Sequence, residues 1–123
     1  MFTVSILTTF TAGHQLKFPS GSEPYHIHDW QVEAAVGGEK LDENGLLLDF
    51  NRLKKTLDDI LAPFDQQALE EFDCFKNVNT SAENVAEYIF FSVKKQLPDS
   101  ISLLYVEVTE APNCKASYSE KPF

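Results

Sequence analysis

The stretch HIHDWQVEAAV, residues 26–36, alternates along its whole length. An extended chain turns successive side chains to opposite faces. His26, His28, Trp30, Val32, Ala34 and Val36 therefore share one face, and Ile27, Asp29, Gln31, Glu33 and Ala35 share the other. Read as a strand, the segment has one face that must be covered, and its two histidines point the same way, roughly 7 Å apart at strand rise.

Upstream, Phe2, Val4, Ile6 and Phe10 repeat the period of two and lead to His14, which predicts a first strand ending at a third histidine. Downstream, GGEKLDENG (37–45) turns the chain into LLLDF (46–50), and the two flanks predict a hairpin with a longer loop. Phe50, Leu53, Leu57, Ile60 and Leu61 then recur at helical spacing, with Asp49 as N-cap and Pro63 near the end. After the irregular FDQQALEEFDCFKNVN (64–79), Thr80 to Glu83 reads as a capping box opening a second helix, with Val85, Tyr88, Ile89, Val93 and Leu97 as its stripe and Pro98 as its stop. ISLLYVEVTEA (101–111) reads as a long strand in which Leu104, Val106, Val108 and Glu110 share a face, and KASY (115–118) as a short last one. The order β-β-α-α-β-β predicts an α+β fold with a four-stranded antiparallel sheet and two helices on one face, residues 1–123 forming one domain without linker or repeat.

Charge narrows the function. With 19 acidic and 10 basic residues the chain carries a formal charge of -9, which repels a phosphate backbone and argues against nucleic acid as partner. The N-terminal MFTVSILTTFTAGH has no basic region or cleavage-like site and is too short to span a bilayer, so a cytoplasmic protein without a membrane partner is expected. Cys74 and Cys114 are isolated thiols without CxxC spacing.

All three histidines of the chain, His14, His26 and His28, fall within fifteen positions. A His-x-His pair on an exposed strand occurs without metal. A third imidazole at the end of the neighbouring strand makes the number that catalytic zinc sites take from protein while leaving a position for water or substrate. Zinc is the expected cofactor, although nickel, copper and iron also accept imidazole.

FTAGHQL (10–16), YHIHDW (25–30), GLLLDFNRLKKTLDDIL (45–61), NTSAENVAEYIF (79–90) and VEVTEAPNCKASY (106–118) together resemble, in order and along nearly the whole chain, the 6-pyruvoyl-tetrahydropterin synthase and 6-carboxytetrahydropterin synthase family. The resemblance implies a tunnelling fold assembled as a homo-oligomer, usually a hexamer built as a dimer of trimers, with active sites at subunit interfaces. It implies zinc on His14, His26 and His28, and a pterin ring anchored by Glu110, with Ser81 also touching the ring. A carboxylate suits that ring, whose edge presents adjacent N–H donors. Ser81 also lies at a helix start, where capping competes with ligand contact.

Two departures from the family pattern bear on chemistry. The family's usual base is a Cys four residues before the first His of the pair, and Ser22 stands there. Its Asp-His relay pair appears as Asp65-Gln66. A serine without an activating base cannot replace a thiolate, and Gln shuttles no protons. Glu23 is the better candidate base, although an acid in the loop PSGSEPY (19–25) is also an ordinary surface feature. Asp65 is kept as an orienting carboxylate or a turn residue, and Asp29 points to the wrong strand face for a ligand. The expected function is a zinc-dependent lyase acting on the side chain of 7,8-dihydroneopterin or its triphosphate, by retro-aldol cleavage to 6-hydroxymethyl-dihydropterin. The alternative is an inactive homologue that binds zinc and pterin.

Overall fold

Two thirteen-residue strands form the spine of the computed structural model, which describes residues 1–122: β1 (Phe2–His14) and β4 (His26–Gly38). They run antiparallel in unbroken register, from Phe2 opposite Gly38 to His14 opposite His26. The connection between them folds back as a small ribbon of β2 (Lys17–Phe18) and β3 (Gly21–Ser22). On the other side of β4 lies β6 (Ser102–Ala111), followed by β7 (Cys114–Tyr118), both antiparallel to their neighbours. The four long strands are those the alternation predicts. A short β5 (Gln67–Ala68) adds a fifth, parallel to the outer edge of β1, and no periodicity over two residues could have announced it.

Two helices cover one face of this sheet. In α1 (Phe50–Leu61) the Asp49 carboxylate accepts from the Asn51 N–H at 2.7 Å, as the capping pattern requires. Its buried stripe is Leu53, Leu57 and Leu61, and Phe50, predicted to belong to it, is 59% exposed. Thr8 Oγ1 donates to Asp58 at 2.7 Å and pins the helix to β1. In α2 (Ala82–Lys94) the cap is Ser81, one residue later than the predicted box, accepting from the Asn84 N–H at 3.2 Å. Val85, Ala86, Ile89, Phe90 and Val93 of α2 are buried against the sheet residues Trp30, Val32, Val106 and Val108. No helix among the described residues is long and apolar enough to cross a membrane.

Two further expectations are corrected. LLLDF forms no strand. Its hairpin partner β4 is already paired on both edges, by β1 and by β6, so no row of free N–H and C=O groups remains for it. The segment instead turns at Asp42, whose carboxylate accepts from the N–H groups of Asn44 and Leu46, and it buries Leu48 in the core. In β6, Leu104 leaves the face of Val106 and Val108. The register jumps from Ala35 opposite Tyr105 to Val36 opposite Leu103, so one residue is extra, and a bulge of that kind inverts the alternation beyond it. Leu103 therefore packs on the core, and Leu104 lies over Gly37.

Candidate metal centre

The register of β1 and β4 builds the site. His14 sits directly opposite His26, and His28 is opposite Ala12, two residues back on the same face. Successive inward positions therefore carry the three imidazoles side by side, with ring centroids 4.4–5.2 Å apart. Trp30, the next inward residue, is the floor. It is fully buried, donates from Nε1 to the Ala12 carbonyl at 3.0 Å, and meets His14 edge to face at 5.0 Å.

Hydrogen bonds orient the rings. His14 Nδ1 donates to the Thr80 carbonyl and His26 Nδ1 to the Pro24 carbonyl, both at 2.8 Å. In a neutral imidazole such a bond fixes the tautomer and turns Nε2 into the acceptor that a metal ligand needs. Yet His14 Nε2 lies 2.9 Å from His26 Nε2, and His28 Nε2 is buried without a hydrogen-bond partner. Burial, the largest influence on His28, holds its pKa below the ordinary imidazole value and so favours the neutral ring. Imidazole nitrogens gathered this closely, one of them buried without a partner, are what a cation satisfies, and imidazole nitrogens with an added carboxylate suit zinc.

That carboxylate is Glu110, the residue that the family resemblance implies as the ring anchor. Its Oε1 lies 2.9 Å from His14 Nε2, and the ligand atoms of His14, His26, His28 and Glu110 all fall within 4.8 Å of one another. Glu23 borders the group as well: its Oε1 accepts from the Leu16 N–H at 3.2 Å and lies 3.7 Å from His26 Nε2. Ser22, its neighbour on the ribbon, is exposed.

The remaining assignments separate from the cluster. The Ser81 hydroxyl is engaged as the cap of α2. Asp65 is not brought to the histidines within the chain. It is exposed at the edge of β1, where Oδ1 accepts from the Thr11 N–H at 2.9 Å while the Gln66 N–H donates to the Thr11 carbonyl at 2.6 Å. This turn, with Gln66 at φ 64°, clamps the strand edge. Asp29 faces away and accepts from Thr11 Oγ1 at 2.7 Å.

A residue that the sequence reading passed over supports the site from behind. Glu70 Oε1 accepts from the Gln15 N–H at 2.5 Å and from Thr80 Oγ1 at 2.7 Å, which holds in place the segment whose carbonyl orients His14. Asn79 makes two 2.8 Å bonds with the backbone of Lys17 and ties the β2–β3 ribbon to the start of α2. Nothing in one sequence marks Glu70, because it lies in an irregular stretch and acts through contacts 55 and 10 residues away.

Gly13 is fixed by its neighbour. A Cβ there would stand 1.9 Å from the Tyr25 hydroxyl. Gly13→Ala should therefore force the Tyr25 ring off the strand and cost about 1–3 kcal/mol in urea unfolding, with part of the loss recovered when Tyr25→Ala is added.

A family profile described as 6-pyruvoyl tetrahydropterin synthase matches residues 3–121. The chain belongs to this family. Among its relatives, human 6-pyruvoyl tetrahydrobiopterin synthase is 32% identical over 126 aligned residues, covering 89% of this chain and 86% of that protein. Dihydroneopterin monophosphate aldolase of Pyrococcus furiosus is 29% identical, covering 83% of each. The solved 6-pyruvoyl tetrahydropterin synthase of Caenorhabditis elegans superposes with a TM-score of 0.85 at 24% identity, over 98% of this chain and 96% of that one, which shows the shared fold. This member of the synthase family carries Ser22 and Gln66 at the two positions read above as departures.

Proposed function

We propose that the protein is a zinc-dependent lyase that cleaves the side chain of a 7,8-dihydroneopterin, free or phosphorylated, to 6-hydroxymethyl-dihydropterin. The observation that carries this reading is the position of Glu23, half-buried at 31% side-chain exposure with Oε1 3.7 Å from His26 Nε2. It is a carboxylate beside the donor cluster in a chain that lacks the thiol. The family relation supports chemistry on a pterin side chain, and the relative named as an aldolase supports the cleavage class.

His14, His26 and His28 would hold the metal, which when bound supplies Lewis-acid polarisation of side-chain oxygens and lowers the pKa of a hydroxyl. Glu110 accepts the two N–H donors on the ring edge and sets the side chain over the histidines. Glu23 takes the proton of the second side-chain hydroxyl. That carbon becomes an aldehyde as its bond to the first side-chain carbon breaks, and the electron pair passes into the conjugated ring imine. Return of the proton to the first carbon leaves the hydroxymethyl group. No carbon acid has to be ionised, so a carboxylate is base enough. Asp65 could reach such a ligand only from a second subunit, and a homo-oligomer, a hexamer in the family's manner, is part of the proposal.

Glu110→Gln should weaken pterin binding about tenfold to a hundredfold in calorimetry, because an amide offers one acceptor oxygen where the ring edge needs two. The deciding experiment incubates metal-loaded protein with dihydroneopterin, its monophosphate and its triphosphate and identifies the products. Formation of a hydroxymethyl pterin with an equivalent of a two-carbon aldehyde supports the lyase. Replacement of the relay thiol and imidazole by Ser22 and Gln66 favours a second reading, a zinc- and pterin-binding homologue without turnover, for which tight pterin binding and no product would be the result.

A further inference from the structure

The four-atom group around His14 contains a disparity. A zinc ion with bonds of about 2.0–2.2 Å places tetrahedral ligand atoms about 3.3–3.6 Å apart; in the group of His14, His26, His28 and Glu110 all four ligand atoms fall within 4.8 Å of one another, with two of the pairs at 2.9 Å. Three nitrogens and one oxygen would close the coordination. Closed sets of four belong to structural zinc, whereas sites that handle substrate keep a position open. If Glu110 stayed on the metal, no position would remain for a substrate oxygen.

The four ligands are not held alike. His14 and His26 are each braced from behind by a carbonyl at 2.8 Å, and His28 stands between the rings of His26 and Trp30. Glu110 is a longer side chain near the end of β6, 27% exposed, and no second hydrogen bond among the described residues braces its carboxylate. Glu110 Oε1 stands 2.9 Å from the same His14 Nε2 that lies 2.9 Å from His26 Nε2, and His28 Nε2 beside them has no hydrogen-bond partner, so the carboxylate shares the point on which the histidine nitrogens gather.

We infer that Glu110 is a displaceable fourth ligand: it closes the metal position in the ligand-free protein and leaves it when the flat ring of a pterin claims the carboxylate. This rests on the reading of Glu110 as the ring anchor. The ring edge and the cation then compete for one side chain, so substrate arrival itself opens the coordination position that the side-chain oxygens need. Water is kept from that position until the ring is seated, and the closing device costs no separate lid.

Competition for one carboxylate is a negative coupling between two ligands, and such a coupling is reciprocal. The probe is 6-methylpterin, which has the ring edge but no side-chain hydroxyl with which to repay the metal. Saturating 6-methylpterin should weaken the apparent zinc affinity of the full-length protein, measured against a chromophoric chelator, by about tenfold. In Glu110→Gln the two ligands should bind without affecting each other. The cobalt-loaded protein should show visible bands that move on adding 6-methylpterin, and Glu110→Ala without pterin should already show moved bands.

Unchanged or strengthened zinc affinity in the parent, with Glu110→Gln still weakening pterin, overturns the displacement while leaving the anchor intact. Cobalt spectra that coincide for the parent and both variants overturn it as well. If Glu110→Gln leaves 6-methylpterin binding untouched, the anchor itself is wrong and the displacement falls with it. Circular dichroism of each variant separates these outcomes from loss of fold.

Discussion

A protein carrying His26→Ala and His28→Ala should emerge from purification without a tag nearly free of metal, its affinity lower on the order of a hundredfold or more. The two side chains supply two of the four clustered donor atoms, and their removal leaves His14 and Glu110 alone. The fold should survive, since both residues lie at the end of β4, where the core begins only at Trp30. A second check comes from Glu70→Ala, which touches no donor atom. It releases the Thr80 hydroxyl and the Gln15 N–H, so the carbonyl that orients His14 is less firmly set. Removal of an outer partner of this kind typically weakens a metal site about tenfold to a hundredfold. Elemental analysis of the dialysed double variant, set against the parent, tests the assignment. Full metal content in the double variant would remove the histidine site, and an unaltered affinity in Glu70→Ala would make that carboxylate a loop brace with no bearing on the metal.

The parts of this architecture that could be read beforehand are those governed by a local period. β1 and β4 alternate without interruption, so the shared face of His26 and His28 followed from counting by twos, and their antiparallel pairing put His14 beside them. The helices were legible for the same reason, with Leu53, Leu57 and Leu61 buried as their spacing demands. What escaped depended on partners distant in sequence. Leu104 looked like a core residue because alternation was carried through a bulge that only the pairing with Ala35 and Val36 reveals. LLLDF looked like a strand because nothing in its own composition says that both edges of β4 are occupied. Asp65 fell at the position of a relay acid, yet within the chain its carboxylate closes on the backbone of Thr11. Glu110 was legible as an acid ending an apolar stripe, but its 2.9 Å approach to His14 joins β6 to β1 across β4, which no spacing within either strand encodes.

The residue on which turnover depends in the proposed reaction is Glu23, and Glu23→Gln should lower it about a hundredfold to ten-thousandfold, the usual contribution of a general base. The substitution isolates that role. The amide oxygen can still accept from the Leu16 N–H, and the backbone bonds from Glu23 N to Leu16 O and from Gln15 Nε2 to Glu23 O do not involve its side chain, so the loop keeps its shape. Metal content and pterin affinity should therefore stay close to those of the parent while turnover falls. Ser22→Ala should be mild, because that hydroxyl is exposed and has no base to activate it. Ser22→Cys restores a thiol at the family's position, but Gln66 still denies the relay its imidazole, so a synthase-type product is expected only when Gln66→His is added. The measurement is product formation under single-turnover conditions, with each product identified. A Glu23→Gln protein as active as the parent would sink the carboxylate-base mechanism. Were the parent itself to bind dihydroneopterin tightly and convert none of its phosphorylated or free forms, the binding reading would stand in place of the lyase, with the metal and Glu110 serving recognition alone.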